Sequence, residues 1–560
     1  MRRALLPVVA ALPLIGMARP ASGQEQPCRS IVVVIEEATL PDLLRVPALR
    51  SLAVSGGSAL MNGREDVYRS FSIFDPPQGD PTHLPGECRD YPEPFAEPDD
   101  AAALLLDGAS RFADRSLLMV VSASPSAASA ADGDELGAVI AAWGDPDELL
   151  TASGEPRALI SDSTRRPGVV ATVDPAATVA AWLDLPSETG APIEPTDEPA
   201  PLDLYERYLG YRRIAVPAAA ASWILMGVAA IAAIAILRRR GRASDRALAS
   251  AGVLAATFPW LPIALLLAGH LPTLTVWTAA PFVGAVVGLG AAFSVWAERR
   301  WGILRAVAAT GVAILAILLV EALTGWWGAV TPLVGGGQLD GGRFFGMPNA
   351  MIGLVLGAAL SVALRLSPSA GAALLAGCAL VAGSPWTGAN FGAAITLFAA
   401  AGLWLGVRAG RPWWLIAVLT GAITVGGMAA ISVMHRFLTD RPTHITSFLD
   451  DTGGPIAAIE RFVDRLGIGF DLIVDSPFAL VPVIGTLVLL IVVLRPPASL
   501  AATFAASDAW HDALLVLLLG SIVAYLANDT GAAALGFGFV FALAGVLAVS
   551  VAAARGKMVP

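Results

Sequence analysis

Residues 214–242 read IAVPAAAASWILMGVAAIAAIAILRRRGR. The 24 residues from Ile214 to Leu237 carry no charge. At about 1.5 Å of rise per residue such a helix crosses the roughly 30 Å hydrocarbon core of a bilayer. Four arginines then fall within five residues, Arg238 to Arg242. Clustered arginine beside a span marks the end kept on the cytoplasmic side. This stretch divides the chain. An acidic, polar block precedes it and an apolar one follows it.

Downstream, ten more apolar runs fall at 247–269, 273–296, 303–323, 347–366, 370–385, 391–407, 413–434, 478–494, 513–527 and 531–553. Together they predict an all-α polytopic bundle of about eleven transmembrane helices over residues 214–560. Arg299-Arg300, Arg408 and Arg411, Arg495, and Arg555 with Lys557 all fall on the side of Arg238–Arg242. The rule of positive charge inside then places residues 24–213 outside the cell membrane and the C-terminus in the cytoplasm. Of the 560 residues 56% are hydrophobic and 15% charged, far below the quarter usual in soluble proteins.

Upstream, Arg2-Arg3 precede the apolar run 4–17, and Ala21-Ser22-Gly23 offers small residues for cleavage. Residues 1–23 read as a signal peptide, with an uncleaved anchor as the rival reading. Residues 24–213 hold 32 acidic and 14 basic residues, which excludes nucleic-acid binding. Cys28 and Cys88 both fall in this block, so a disulfide is permitted; two separate thiols is the other reading. The wholly apolar runs 31–35 and 117–121 predict strands buried on both faces. Residues 47–54 predict a short helix, 59–61 and 168–173 further strands, and 99–112 another helix. Asp174-Pro175 predicts a helix N-cap followed by proline at the first helical position. Residues 189–201, rich in proline and acids, read as a linker.

The sequences PALRSLAVSGGSALMNGR and LISDSTRRPGVVATVDPAATVAAWLDL, set between these strands, resemble the alkaline phosphatase and phosphoglycerate mutase superfamily. The likeness is to the exported version fused to multi-span membrane proteins of actinobacteria. It implies an extracytoplasmic α/β domain of alkaline-phosphatase-like fold. The chain departs from the superfamily's two-metal pattern. The first strand runs into Glu36-Glu37, Ser122-Ala123-Ser124 follows the 117–121 strand, and His83 is the block's one histidine. Two-metal phosphoryl chemistry needs clustered carboxylate and imidazole ligands. The domain therefore reads as catalytically degenerate, with no metal ligands assigned. The segments RFFGMPNAMIGLVLGAAL, GSPWTGANFGAAITL and NDTGAAALGFGFVFAL resemble the membrane half of the same fusion family, which has no assigned reaction. Arg343, Phe344, Gly346 and Asn349 match one of its motifs; Gly388, Ala389 and Gly392 match another.

The predicted topology gathers polar residues at one end of the bundle. His444, Asp340 and Asp529 are candidates for catalysis: His444 as a base, the two aspartates to orient it or hold a divalent cation. Arg343, Asn349, Asn390, Arg436, Asp440, Arg441 and Asn528 are candidates for substrate binding, because guanidinium and amide groups suit phosphate and sugar. Each has a plain structural reading beside it. Arginine at a span end anchors the helix, Asn-Asp-Thr makes a turn, and glycine-rich loops are often turns. Glu321, an acid among apolar residues, should face the bundle interior, toward Arg343. The expected partners are membrane lipids, including a polyprenyl-linked or other anionic lipid. The expected function is handling of a lipid-linked saccharide or anionic lipid at the outer leaflet. A flippase, or an active metal-dependent phosphatase on a membrane anchor, are the alternatives.

Overall fold

The computed structural model describes residues 28–35, 39–62, 99, 102–103, 112–122, 137–144, 148–149, 152–171, 174–182, 190–239, 244–325, 332–333, 345–437, 480–496, 501, 504, 508–528 and 537–555. Of the predicted helix 99–112, residues 99, 102 and 103 are helical, and Phe112 already opens a strand; the cysteine pairing, Glu36, Glu37 and His83 fall outside the described residues.

A seven-stranded mixed sheet occupies the N-terminal part. Its strands are β1 (Cys28–Ile35), β2 (Gly57–Asn62), β3 (Phe112–Ser122), β4 (Gly137–Gly144), β5 (Arg157–Ser161), β6 (Val169–Ala171) and β7 (Ile193–Pro199). The order is β1-β3-β4-β2-β5-β7, with β6 also paired to β2. Its centre is covered on both faces. Leu118 and Val120 pack with Leu43, Leu49 and Leu52 from the helices Leu40–Arg45 and Pro47–Ser55. Leu117, Met119 and Val121 pack with Val179 from the helix Asp174–Trp182. Two covered faces leave no polar side to an alternating pattern, hence the unbroken apolar runs. At the other extreme, β7 reads IEPTDEP and exposes most of its side chains. It is an antiparallel edge strand on β5, where residues 189–201 had suggested a linker. Prolines and acids are the residues that protect an exposed sheet edge, so composition alone could not separate the two readings.

The remaining described residues are mostly helical. The first long helix is Leu202–Arg238, and it runs unbroken out of the sheet domain twelve residues before the apolar run at 214. Tyr205, Tyr208 and Tyr211 are buried along this extra length, and Gly210 lies against the backbone of Leu274. The second expected span is a broken pair, Asp245–Thr257 and Trp260–Ala268, bent by 40°. Pro259 sits at the break, where proline removes a helical donor. Then come Val276–Trp301, Ile303–Thr324, Met351–Ala363, Pro368–Gly383, Phe391–Arg408, Trp413–Phe437, Leu480–Leu494, Asp508–Ala527 and Gly538–Ala554. Six of the described helices are long and apolar enough to cross a membrane, or up to seven if the bent pair is one span. The others are shorter apolar helices.

The exposed surface of the long helices is apolar. Ile224, Leu225, Val228 and Ile231 are exposed on the first, and Val418, Val425 and Val433 on Trp413–Phe437. On Val276–Trp301 the exposed Trp277 and Trp296 lie about 28 Å apart along the axis, at about 1.5 Å per residue. That separation suits indoles at the two interfaces of a bilayer. Trp296 is followed by Arg299 and Arg300. On the same side, Arg555 Nη1 pairs with Glu298 at 2.6 Å, and Arg408 pairs with Asp512 at 3.0 Å. The basic residues of that end thus also tie helices distant in sequence.

Candidate functional site

At the opposite end, helix termini and the sheet domain meet. The segment between β5 and β6 reads Asp162-Ser163-Thr164-Arg165-Arg166-Pro167-Gly168. It forms a tight turn because Asp174 clamps its base. The Asp174 carboxylate is fully buried. It accepts from the hydroxyls of Ser161 and Ser163 and from the backbone N–H of Ala171 and Ala191. Burial pushes its pKa up, while those four donors pull the other way. The expected N-cap at Asp174 is therefore a clamp: Asp174 is itself the first helical residue, and its carboxylate reaches β6 and the approach to β7. Thr164 Oγ1 closes the turn by donating to the Val169 carbonyl.

The clamped turn presents two arginines to the bundle. Arg165 donates to the carbonyl of Pro385, beyond the C-terminus of Pro368–Gly383. Its guanidinium stacks 4.3 Å from the centre of the Phe345 ring, a cation–π distance. Arg166 donates to the carbonyl of Gly325, the left-handed C-cap of Ile303–Thr324, at 3.3 Å. A helix C-terminus carries partial negative charge, so arginine is well placed there. Burial brings the Arg166 pKa down to about 10, nearby Arg207 adds to this, and Glu321 opposes it. Glu321 lies one turn before Gly325, is 3% exposed, and holds His270 Nε2 at 2.9 Å. The acid does face the interior as expected, and His270 is its described partner; Arg343 lies outside the described residues.

Beside this contact two sequence motifs interlock. Asn390 caps Phe391–Arg408 by accepting from Ala393 N–H. Its amide nitrogen donates to the Met347 carbonyl and to Asn349 Oδ1, both at 2.9 Å. Met347 N–H donates to the Gly388 carbonyl at 2.7 Å. A Cβ on Gly346 would lie 2.0 Å from that carbonyl, and one on Gly388 would lie 2.1 Å from the Ala382 carbonyl. A Cβ on Gly392 would lie 2.1 Å from Asn528 Oδ1. Asn528 donates to the Ala524 carbonyl, ending Asp508–Ala527. His435, buried near the end of Trp413–Phe437, bonds the Gly383 carbonyl through Nε2 at 2.8 Å. Among the described residues two non-glycine residues have positive φ, Arg165 at 55° and Ala389 at 43°, and both lie at this meeting of segments. Such backbone costs about 1–2 kcal/mol and is held by its surroundings.

The structure thus joins three of the expected binding residues, Asn349, Asn390 and Asn528, to one packed assembly of helix ends. Arg436 is exposed on the last turn of its helix. Asp340, Arg343, Asp440, Arg441, His444 and Asp529 lie outside the described residues. Among the described residues no three metal-ligating side chains gather in one place. The sequence reading passed over Arg165, Arg166 and His270. A double arginine before Pro-Gly, inside an acidic block, was the available signal. Nothing in the sequence tied it to the bundle, because its partners are backbone carbonyls more than 150 residues away. Chemically the assembly offers guanidinium groups, an acid–imidazole pair and amides under a protein cap. No family model matches this chain, and no curated protein or solved structure matches it either.

Proposed function

We propose that this is a cell-envelope membrane protein that handles a lipid-linked saccharide or another anionic lipid at the outer leaflet. In this reading residues 1–23 export the sheet domain, about eleven helices span the bilayer, and the phosphatase-like domain is a catalytically degenerate cap. The observation that carries it is the seating of Arg165 and Arg166 on helix ends beside Glu321 and His270. Arginine, histidine, acid and amide groups meeting at a membrane boundary suit recognition of a phosphate-bearing headgroup. Asp340, Arg343, His444 and Asp529, outside the described residues, are the further catalytic and binding candidates in this reading. The test is to substitute Arg343, Asp529 and Arg166 singly by alanine and assay envelope glycans and lipid-linked precursors in cells. Accumulated precursor or altered glycan supports the reading. Unchanged composition in all three, at normal protein levels, removes it.

A second reading is a flippase for the same class of lipid, favoured by the broken helix pair at Pro259. Broken helices free backbone groups within the membrane, and transporters place substrate sites at such breaks. The Leu265 carbonyl, in the last turn of Trp260–Ala268, accepts from Leu333 N–H. Movement of a labelled anionic lipid between leaflets by the reconstituted protein would favour this reading over the first.

A further inference from the structure

We propose that Arg299, Arg300, Arg305 and Arg365 form one surface that holds the phosphate headgroup of an anionic phospholipid, in the leaflet facing the basic end of the bundle. The inference concerns the end opposite the sheet domain and stands independently of the function proposed above.

The packing sets these residues at one level. Val276–Trp301 and Ile303–Thr324 are joined by the single residue Gly302, whose φ of 82° turns the chain from one helix into the next. Arg299 and Arg300 lie in the last turn of the first helix and Arg305 in the first turn of the second. Ile303–Thr324 then packs on Met351–Ala363: a Cβ on Gly311 would lie 2.2 Å from Ser361 Oγ and 2.8 Å from the Ala358 carbonyl. At the other end of this pair Phe345 lies 3.5 Å from where a Cβ on Gly325 would be, so the two helices run antiparallel. Arg305 is therefore about 9 Å, and Arg365 about 6 Å, beyond the Gly311–Ser361 contact in the same direction, at about 1.5 Å per residue. The charge of Arg305 is felt at Arg365, in keeping with that placement.

All four arginines are exposed, and among the described residues none has an ion-pair or side-chain hydrogen-bond partner. That sets them apart from Arg408 and Arg555 at the same end, which pair with Asp512 and Glu298 and tie helices together. The Glu298 carboxylate, adjacent in sequence to Arg299, is thus already engaged. Arg305 also sits where a cation is disfavoured: the first turn of Ile303–Thr324 has no acidic residue and no side-chain cap, and a helix start carries partial positive charge. A group of like charges left together without an internal counter-charge fits an external anion. The tryptophans say which one. Trp296 and Trp301 are 52% and 39% exposed, with ring centres 4.8 Å apart. Exposed indoles lie at the membrane–water boundary, so the adjacent guanidinium groups reach the headgroup layer. Guanidinium takes phosphate oxygens in pairs, and basic clefts between spans hold anionic headgroups.

The test uses full-length protein in nanodiscs of phosphatidylcholine, with and without phosphatidylglycerol. Phenylglyoxal labels exposed arginines, and peptide mass mapping gives the rate at each. Phosphatidylglycerol should slow labelling of Arg299, Arg300, Arg305 and Arg365 about fivefold or more, the factor equivalent to one arginine held against an anionic headgroup. Arg239 and Arg495, exposed arginines of the same end on other helices, should change little. Inorganic phosphate added to phosphatidylcholine discs should protect none of them. The doubly substituted Arg305→Gln, Arg365→Gln protein should label fully at Arg299 and Arg300 in either lipid. Unchanged labelling of the four arginines in phosphatidylglycerol would overturn the surface. So would equal slowing at Arg239 and Arg495, which reports general attraction of the basic end, or equal protection by inorganic phosphate. A double variant that keeps its protection at Arg299 and Arg300 would show that the four residues do not act together. The lipid comparison is made on the natural protein, so a poorly folding variant does not remove the test.

Discussion

Asp174 shows how one buried carboxylate fixes a distant contact. It is held by two backbone and two hydroxyl donors, and the turn it ties carries Arg165 and Arg166. Replacing it with alanine strands two buried N–H groups, each costing about 1–3 kcal/mol. We expect Asp174→Ala to lower the thermal midpoint and to lose the docked turn together. The pH dependence has a definite sign. The folded pKa is raised above the ordinary 3.8, so the unfolded chain gives up this proton first. The Asp174 contribution is therefore most favourable below the unfolded value and declines as pH rises through the interval up to the folded one. Thermal melts across acidic pH should show that decline in the natural protein, and a flatter profile in Asp174→Asn. Equal slopes in the two proteins would show that Asp174 is not the titrating group.

Among elements, the interlock of the 345–350 and 384–392 segments is the most constrained. Asn390 combines an N-cap with two side-chain donations, so Asn390→Ala should cost about 2 kcal/mol or more, read as a lower melting midpoint in detergent. Gly388→Ala should be worse, since its Cβ would meet backbone at 2.1 Å and backbone cannot swing aside. Gly284 is the contrast: it lies on the exposed face of Val276–Trp301 with nothing within 4 Å of an added Cβ. Gly284→Ala should leave the midpoint unchanged or raise it slightly, because alanine is the better helix former by about 0.5–1 kcal/mol. Yields of monodisperse protein would rank the three variants. A harmless Gly388→Ala would mean that these segments do not interlock.

For the whole molecule, the strongest expectation is a sided one. The sheet domain and Trp386 share one end, and Arg299, Arg408 and Arg555 share the other. In a background lacking the three native cysteines, Trp386→Cys should react with a membrane-impermeant thiol reagent on intact cells. Arg299→Cys should react only after the membrane is opened. The reverse pattern would invert the topology and remove the outer-leaflet reading with it.

Most of the rods and the core of the sheet were legible because they follow from local pattern. Apolar runs of a given length make helices in lipid, and unbroken β-branched runs make strands covered twice. The ends of Ile303–Thr324 and Phe391–Arg408 fall within a residue of the runs that announced them. β7 went unseen because an edge strand is defined by its neighbour, and Ile193–Pro199 becomes a strand only beside β5; β5 has only five residues, and β4, interior between β3 and β2, reads GAVIAAWG, whose glycines and alanines carry little strand preference. The same holds for the site. Sequence alone determined that Asn349, Asn390 and Asn528 lie near helix ends and that arginines divide the two sides. Only the tertiary structure decided that Asn390 bonds Asn349 and backbone, that Asn528 bonds the Ala524 carbonyl, and that Arg165 and Arg166 reach the bundle. Amides and guanidinium groups take whatever acceptor the fold supplies, and for these two arginines it is carbonyls freed at helix ends and loops, which carry no residue-specific mark in the chain.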